Sequence, residues 1–327
     1  MAELLMEVRD LTKTFTSGSR FSRGGVRRVQ ALSNVSFEVF TGETLGLVGE
    51  SGCGKSTLGR CLLRLYQPDS GQVIFKGHDI TRLPEARLRP LRADMQMVFQ
   101  DPYASLNPRR RLGDLIAEPL RVHKFGDRAA IEARLLALMG LVGLAPDYLS
   151  RYPHEISGGQ RQRIGIARAI ALSPALIIAD EPVSALDVSI QAQIVNLLSD
   201  LQAALRLTYV FIAHDLSVVR QIADRCAVMY LGQIVEIGAT DLVLHRPAHP
   251  YTAALISAVP EPVPGGHRTR QILQGEPPSP AKPPSGCRFH TRCPGAQAVC
   301  AETMPVLRAG ADGRAVACHF PLAAGPA

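Results

Sequence analysis

Over roughly the first 250 residues, short uninterrupted apolar runs alternate with longer segments of helical periodicity. Residues 43–48, 95–99, 175–179 and 209–213 are short, mostly apolar runs that read as strands, the first of them as a buried one. Residues 55–66, 131–140 and 160–172 repeat apolar positions at helical spacing. Strands and helices in alternation predict an α/β fold built on a parallel sheet. The chain shows no internal repeat.

The pattern breaks near Val259. Eight prolines and three glycines fall between Pro260 and Pro284, a stretch that can continue neither a helix nor a central strand. The expected organisation is a main domain over 1–258, with a helical subdomain at about 101–172. A linker over 259–286 and a small module over 287–327 follow. That module holds four of the seven cysteines, Cys287, Cys293, Cys300 and Cys318. An earlier non-periodic insertion, 16–28, reads as a solvated loop.

Composition adds little. Hydrophobic residues make up 46% and charged residues 20%, and the net charge of +7 suits phosphate ligands, nucleic acid or an anionic membrane surface alike. No stretch approaches the ~18 consecutive apolar residues that span a bilayer. The N-terminal Met1-Ala2-Glu3-Leu4-Leu5-Met6-Glu7 carries acid where a secretory signal has a basic region. The expectation is a chain kept in the cytoplasm, where thiols stay reduced and seven cysteines form no disulfide framework.

Chemistry enters at Gly49-Glu50-Ser51-Gly52-Cys53-Gly54-Lys55-Ser56-Thr57, which fits G-x-x-x-x-G-K-[ST] between an expected strand and an expected helix. Gly49, Gly52 and Gly54 let backbone N–H groups curl inward onto phosphate oxygens, and the following helix adds its positive end. Lys55 supplies a point charge for β- and γ-phosphates, and Ser56, with Thr57 beside it, a hydroxyl for Mg²⁺. The fold class is therefore an α/β P-loop nucleotidase. Asp180 and Glu181 end the apolar run from Ala175 to Ala179, at the sheet edge where such folds bind ligands. Asp180 suits Mg²⁺ and Glu181 suits general-base activation of water, while a cap on the next helix is the bland alternative. His214 follows another apolar strand and either orients water at the γ-phosphate or fills a structural place. Gln100, after the run 95–99, reaches Mg²⁺ and water through its amide.

Ile156-Ser157-Gly158-Gly159-Gln160 resembles the ABC signature, Leu-Ser-Gly-Gly-Gln, with Ile156 in place of leucine. Physically it is a second anion site, made of the Ser157 hydroxyl, the Gly158 and Gly159 amides and a helix N-terminus. The resemblance implies an ATP-hydrolysing subunit of an ABC transporter, stacked head to tail with a second ATPase subunit so that each signature closes over the other's ATP. Ser184-Ala185-Leu186-Asp187 looks like the D-loop crossing that interface. Phe15 stands where the family stacks an aromatic on adenine, although a lone Phe is more often core.

The resemblance narrows to the oligopeptide/dipeptide importers at Val98-Phe99-Gln100-Asp101-Pro102-Tyr103-Ala104-Ser105-Leu106-Asn107-Pro108-Arg109 and at His249-Pro250-Tyr251-Thr252-Ala253-Ala254-Leu255. It implies two transmembrane permease subunits and an extracytoplasmic solute-binding protein, with this chain peripheral on the cytoplasmic face of the membrane. Close relatives serve nickel and glutathione importers. Coupling helices would dock near Arg109-Arg110-Arg111, which otherwise read as plain surface. DNA-repair and chromosome ATPases insert long coiled coils or zinc modules between P-loop and signature. Here about 100 residues separate Ser56 from Ser157, so no nucleic-acid partner is expected.

The four late cysteines are separated by five, six and seventeen residues. Four thiolates in a reduced compartment indicate zinc or an iron–sulfur cluster. No tight C-x₂₋₄-C pair of the kind zinc prefers occurs, and the resemblance implies a [4Fe–4S] cluster. Four incidental thiols remain the alternative. The module reads as structural or redox-sensing, with nothing bringing it near the nucleotide, and Cys53, Cys61 and Cys226 read as bystanders.

Overall fold

The structure is a computed structural model that describes residues 3–17, 27–101, 106–258 and 275–322. Parts of the expected features lie outside the described residues: 18–26 of the insertion, 102–105 of the segment after Gln100, and 259–274 of the Pro-rich stretch. The chain divides into two compact units. One comprises residues 1–3, 40–44 and 82–212, and the other 4–39, 45–81 and 213–327.

The first unit is built on three parallel strands, Met95–Val98, Leu176–Asp180 and Thr208–Ile212, in register Met95↔Leu176 and Leu176↔Thr208. Every residue of the last two is buried. Their near-continuous Leu/Ile/Val/Phe composition suits a sheet covered on both sides. Around them lie the helices Leu112–Val122, Arg128–Leu141, Gly158–Ala169 and Val188–Leu205. Leu112–Val122 buries Leu112, Leu115, Ile116 and Leu120, the i, i+3, i+4, i+8 stripe of an amphipathic helix, although it contains Pro119. The expected helix 131–140 begins earlier, at Arg128, because the Asp127 side chain accepts from Ala130 N–H at 2.8 Å as its N-cap. The expected helix 160–172 stops at Ala169, and Arg134 donates to the exiting carbonyls of Ile170 and Ala171, both at 3.0 Å.

The second unit holds two sheets. In one, Leu4–Ser17 pairs antiparallel with Ser70–Phe75, with Met6 opposite Phe75, and Arg27–Phe40 completes the other side. In the other, Thr44–Val48 runs parallel to Arg225–Tyr230, which turns through Leu231 and Gly232 into the antiparallel Gln233–Ala239. The helix expected over 55–66 ends at Leu62, where Arg64 adopts φ 55°. There Leu65 N–H returns to Arg60 C=O and Arg64 N–H to Cys61 C=O, the paired bonds of a left-handed C-terminal stop.

The C-terminal residues are stitched onto this second unit. Ala315–Val316 adds to the free edge of Gln233–Ala239, with Glu236 opposite Val316, and Arg308–Ala309 adds outside it. Ala317 N–H then bonds Val235 C=O and Leu322 N–H bonds Ala248 C=O, both at 2.8 Å. At the centre of the junction Glu236 is fully buried. Its carboxylate accepts from the Ala248 and His249 N–H groups, each at 2.9 Å, and from Arg314 Nη1 at 3.2 Å.

A buried carboxylate stripped of its cation is expensive, by about 3–5 kcal/mol. Arg314→Met keeps the apolar stem and removes the charge. It should lower Tm by roughly 6 °C or more, while Glu236→Gln introduced alongside should recover part of the loss. Thermal unfolding followed by circular dichroism checks this, and a melting curve for Arg314→Met matching the unaltered chain would contradict it.

Candidate functional site

In the second unit, the buried strand Thr44–Val48 delivers the chain to Gly49, and the loop closes at the first residue of the helix Lys55–Leu62. Two of its glycines are dictated by space and backbone angle together. A Cβ on Gly49 (φ 152°) would lie 2.1 Å from Met229 O, and one on Gly54 (φ 110°) would lie 2.4 Å from Ala31 O. Gly54 also serves as N-cap with no side-chain cap, so the first amides of the helix are left to other acceptors. Lys55 is 4% exposed, and its Nζ donates to Gly49 O at 2.7 Å and Glu50 O at 3.1 Å. The ammonium thus closes the cradle on itself. Cys53 Sγ sits 3.9 Å from that ammonium, and burial pushes its thiol up against the lowering influence of Lys55. Burial likewise raises Cys61 and Cys226 to about 12, which keeps both inert thiols at neutral pH. Phe15 stacks edge-on against Tyr66 with centroids 5.4 Å apart, and Lys13 Nζ lies 5.5 Å from its ring.

In the first unit, Asp180 closes the strand Leu176–Asp180 and is 1% exposed. Glu181 follows in the left-handed region at φ 46°, a conformation that costs a non-glycine residue about 1–3 kcal/mol and recurs at working sites. It is held there from three directions. Its N–H donates to Ile212 C=O at 3.0 Å, and its C=O accepts from Ser184 N–H at 3.2 Å and Ser184 Oγ at 3.1 Å. Gln100 Nε2 donates to Glu181 Oε2 at 2.8 Å, so residues 81 positions apart in sequence meet at one carboxylate.

Ser157 is the N-cap of Gly158–Ala169. Its Oγ accepts from Gln160 N–H at 3.3 Å, while Gln160 Oε1 accepts from Ser157 N–H at 2.9 Å, a reciprocal capping box. Gln160 Nε2 reaches the Tyr148 hydroxyl at 2.9 Å. Gly158 and Gly159 are therefore the first two residues of a 12-residue helix, and a Cβ on Gly159 would lie 2.6 Å from Ile190 Cγ2. Asp187 is exposed at the N-cap position of Val188–Leu205, with no cap bond from its own side chain. Arg109 and Arg111 are exposed, whereas Arg110 is paired with Glu118 at 2.7 Å. His214, back in the second unit, is exposed just before the short helix Leu216–Ile222.

Cys287, Cys293, Cys300 and Cys318 line one cavity of about 270 Å³, together with Phe289 and His249. The backbone N–H groups of Phe289, Gly295 and Phe320 favour the thiolates of Cys287, Cys293 and Cys318, against the burial that raises each thiol. Burial pushes the Cys287 thiol up to about 11 against the Phe289 N–H, and the other three sulfurs add to the rise. His249 is buried, and its Nε2 has no hydrogen-bond partner. Among the described residues no three His, Cys, Asp or Glu side chains are grouped to hold a single metal ion.

The expectation that nothing brings this module near the cradle is overturned. Arg292, one residue before Cys293, donates from Nη1 to both carboxylate oxygens of Glu50 at 3.0 Å. Sequence reasoning missed this pair, which spans 242 positions, and it missed Tyr251, whose hydroxyl accepts from Glu50 N–H at 2.9 Å. The His249–Leu255 segment that marked the resemblance contains Tyr251, and that was the only signal available.

Residues 32–184 match the ABC transporter family, and residues 235–300 match the oligopeptide/dipeptide transporter C-terminal region. The oligopeptide transport ATP-binding protein AppF of Bacillus subtilis (strain 168) is 53% identical over 97% of this chain and 98% of its own. A probable peptide ABC transporter ATP-binding protein of Sinorhizobium fredii, y4tS, is 53% identical over 98% and 90%. Among solved structures, the dimeric post-hydrolysis state of the ATP-binding cassette MJ0796, bound to ADP and Pi, superposes with a TM-score of 0.65. It is 28% identical and covers 72% of this chain and 99% of that one. CbiO1 from Clostridium perfringens, part of the cbiONQ ABC transporter complex, gives 0.64 at 25% identity, over 74% of this chain and 91% of its own.

Proposed function

The chain belongs to the ATP-binding subunits of ABC transporters, in their oligopeptide/dipeptide branch, and from that premise we propose that it is the ATP-hydrolysing motor of a di- and oligopeptide importer. The observation that carries the chemistry is the Gln100 amide holding the Glu181 carboxylate at 2.8 Å, beside a buried Asp180. Lys55 and the cradle amides bind the β- and γ-phosphates, and Phe15 faces adenine. Ser56, Asp180 and Gln100 are the residues that would hold Mg²⁺, which would neutralise phosphate charge. Glu181 takes a proton from water as the water oxygen bonds to the γ-phosphorus and the bond to the ADP oxygen breaks. His214 orients that water. Ser157, Gly158, Gly159 and Gln160 meet the γ-phosphate bound by a second ATPase subunit, and Asp187 lies along the same interface. The first amides of the 12-residue helix after Ser157 support that role.

Among the described residues no helix is long and apolar enough to cross a membrane. The motor works through permease subunits, peripheral to the membrane on its cytoplasmic face, with a solute-binding protein delivering peptide outside, as the oligopeptide transport ATP-binding relatives suggest. Exposed Arg109 and Arg111 suit the permease contact.

The four-cysteine cavity takes a [4Fe–4S] cluster. Support comes from four thiols lining one space, beside backbone N–H groups that favour three of the thiolates. When bound, such a cluster supplies a structural staple and one-electron redox chemistry. The small module around it has little core of its own.

Two outcomes are expected. Glu181→Gln should still bind ATP, but phosphate release by the assembled transporter should fall by about 10²–10⁴-fold; near-normal release would remove Glu181 from the base role. Anaerobically purified protein should be brown with about four irons per chain, the count of the cluster itself. Stoichiometric zinc, or protein without metal, would overturn the cluster.

A further inference from the structure

Glu50 is an awkward residue for its position. It places a negative charge on the second residue of a loop that binds a polyanion. The structure deals with that charge from the far end of the chain. Both Glu50 carboxylate oxygens accept from Arg292 Nη1 at 3.0 Å, and the same nitrogen reaches the Tyr230 hydroxyl at 3.4 Å. The Arg292 side chain is 8% exposed and that of Glu50 25%. A pair this sheltered is screened far less than an ordinary surface ion pair.

Every other polar atom of Glu50 is also engaged within the loop or against its floor. The N–H donates to Tyr251 Oη at 2.9 Å, and the C=O accepts from Lys55 Nζ at 3.1 Å and Cys53 N–H at 3.3 Å. Lys55 therefore finds its place through the same peptide that Arg292 and Tyr251 hold.

Arg292 is itself fixed. It lies in consecutive tight turns in which His290 N–H bonds Cys287 C=O, Arg292 N–H bonds Phe289 C=O, and Cys293 N–H bonds His290 C=O. Phe289, 1% exposed, packs against Tyr230 and Tyr251 with centroids 5.3 Å away in each case. Arg288 Nη1 donates to the Leu231 carbonyl at the adjoining hairpin turn. The two tyrosines that touch Glu50 or its cation thus also seat the segment that carries the cation, and Cys287 and Cys293 at its ends line the thiol cavity.

We propose that Arg292 is a positioning residue for the nucleotide cradle: by neutralising and holding Glu50 it sets the affinity of the loop for the triphosphate. The four-cysteine module thereby has a direct path to the cradle, made of one side chain and one turn. The proposal rests on the cradle binding ATP, and its own failure gives a different result from a failure of that binding.

The test is ATP titration into the purified full-length chain by calorimetry, with Tm recorded for each variant. If the unaltered chain fails to bind ATP, the functional reading fails. If it binds, Arg292→Ala should weaken affinity by roughly tenfold, the worth of a unit charge near a partly buried site. In the assembled transporter KM for ATP should rise similarly, with kcat at saturation within about twofold, because Arg292 bonds Glu50 and Tyr230 and none of the residues assigned to hydrolysis. Arg292→Lys, which retains charge and fold, should restore most of the affinity. In a Glu50→Gln background Arg292→Ala should cost almost nothing, because no charge is left to neutralise. An Arg292→Ala effect of equal size in both backgrounds would make Arg292 merely structural and overturn the proposal. So would unchanged affinity in folded Arg292→Ala.

Discussion

The turn from Gly49 to Gly54 has to pass where no side chain fits. Met229 O and Ala31 O close the space at 2.1 and 2.4 Å from the Cβ positions that glycine lacks. Much of the second unit is organised around that constraint. The parallel partner of the leading strand brings Met229 to one side of the loop, and the strand Arg27–Phe40 brings Ala31 to the other. The hairpin turn adds Gly232 N–H to Cys53 C=O at 2.7 Å. With these walls in place, Lys55 satisfies its ammonium on Gly49 and Glu50 carbonyls, a self-contained arrangement that a triphosphate can displace. The helix behind begins without a side-chain cap, which leaves its positive end to an incoming anion.

The other unit presents its acidic pair by different means. Its two fully buried strands end together, and Asp180 and Glu181 emerge from the central one. Glu181 departs from ordinary backbone angles to do so, and three hydrogen bonds with Gln100 and Ser184 hold it. The signature is equally local in construction. Ser157 and Gln160 cap each other, so the helix that follows starts on two glycines, the second packed closely against Ile190.

Motifs and buried parallel strands were legible in the sequence because each is local: a run of apolar residues, a glycine pattern, a pair of acids at a strand end. The antiparallel strands Leu4–Ser17 and Arg27–Phe40 were not, because Thr, Lys and Asn on their outer face interrupt the apolar signal. Pro119 disguised the helix Leu112–Val122. The four cysteines could be named and their common cavity expected, but not their docking. That rests on strands two residues long, on Phe289 between two tyrosines and on the Arg314–Glu236 pair, which no periodicity encodes. The Glu50–Arg292 contact belongs to the same class, since an exposed arginine and a buried one look alike in sequence.

The central claim is that ATP hydrolysis by this chain drives peptide movement through membrane subunits, and one assay addresses it. The native complex would be purified with its permease and receptor components, placed in lipid vesicles and followed for phosphate release. Hydrolysis should require the membrane subunits and rise when receptor loaded with a short peptide is added. Release that ignores peptide and receptor, and rises instead with double-stranded DNA, would contradict the account.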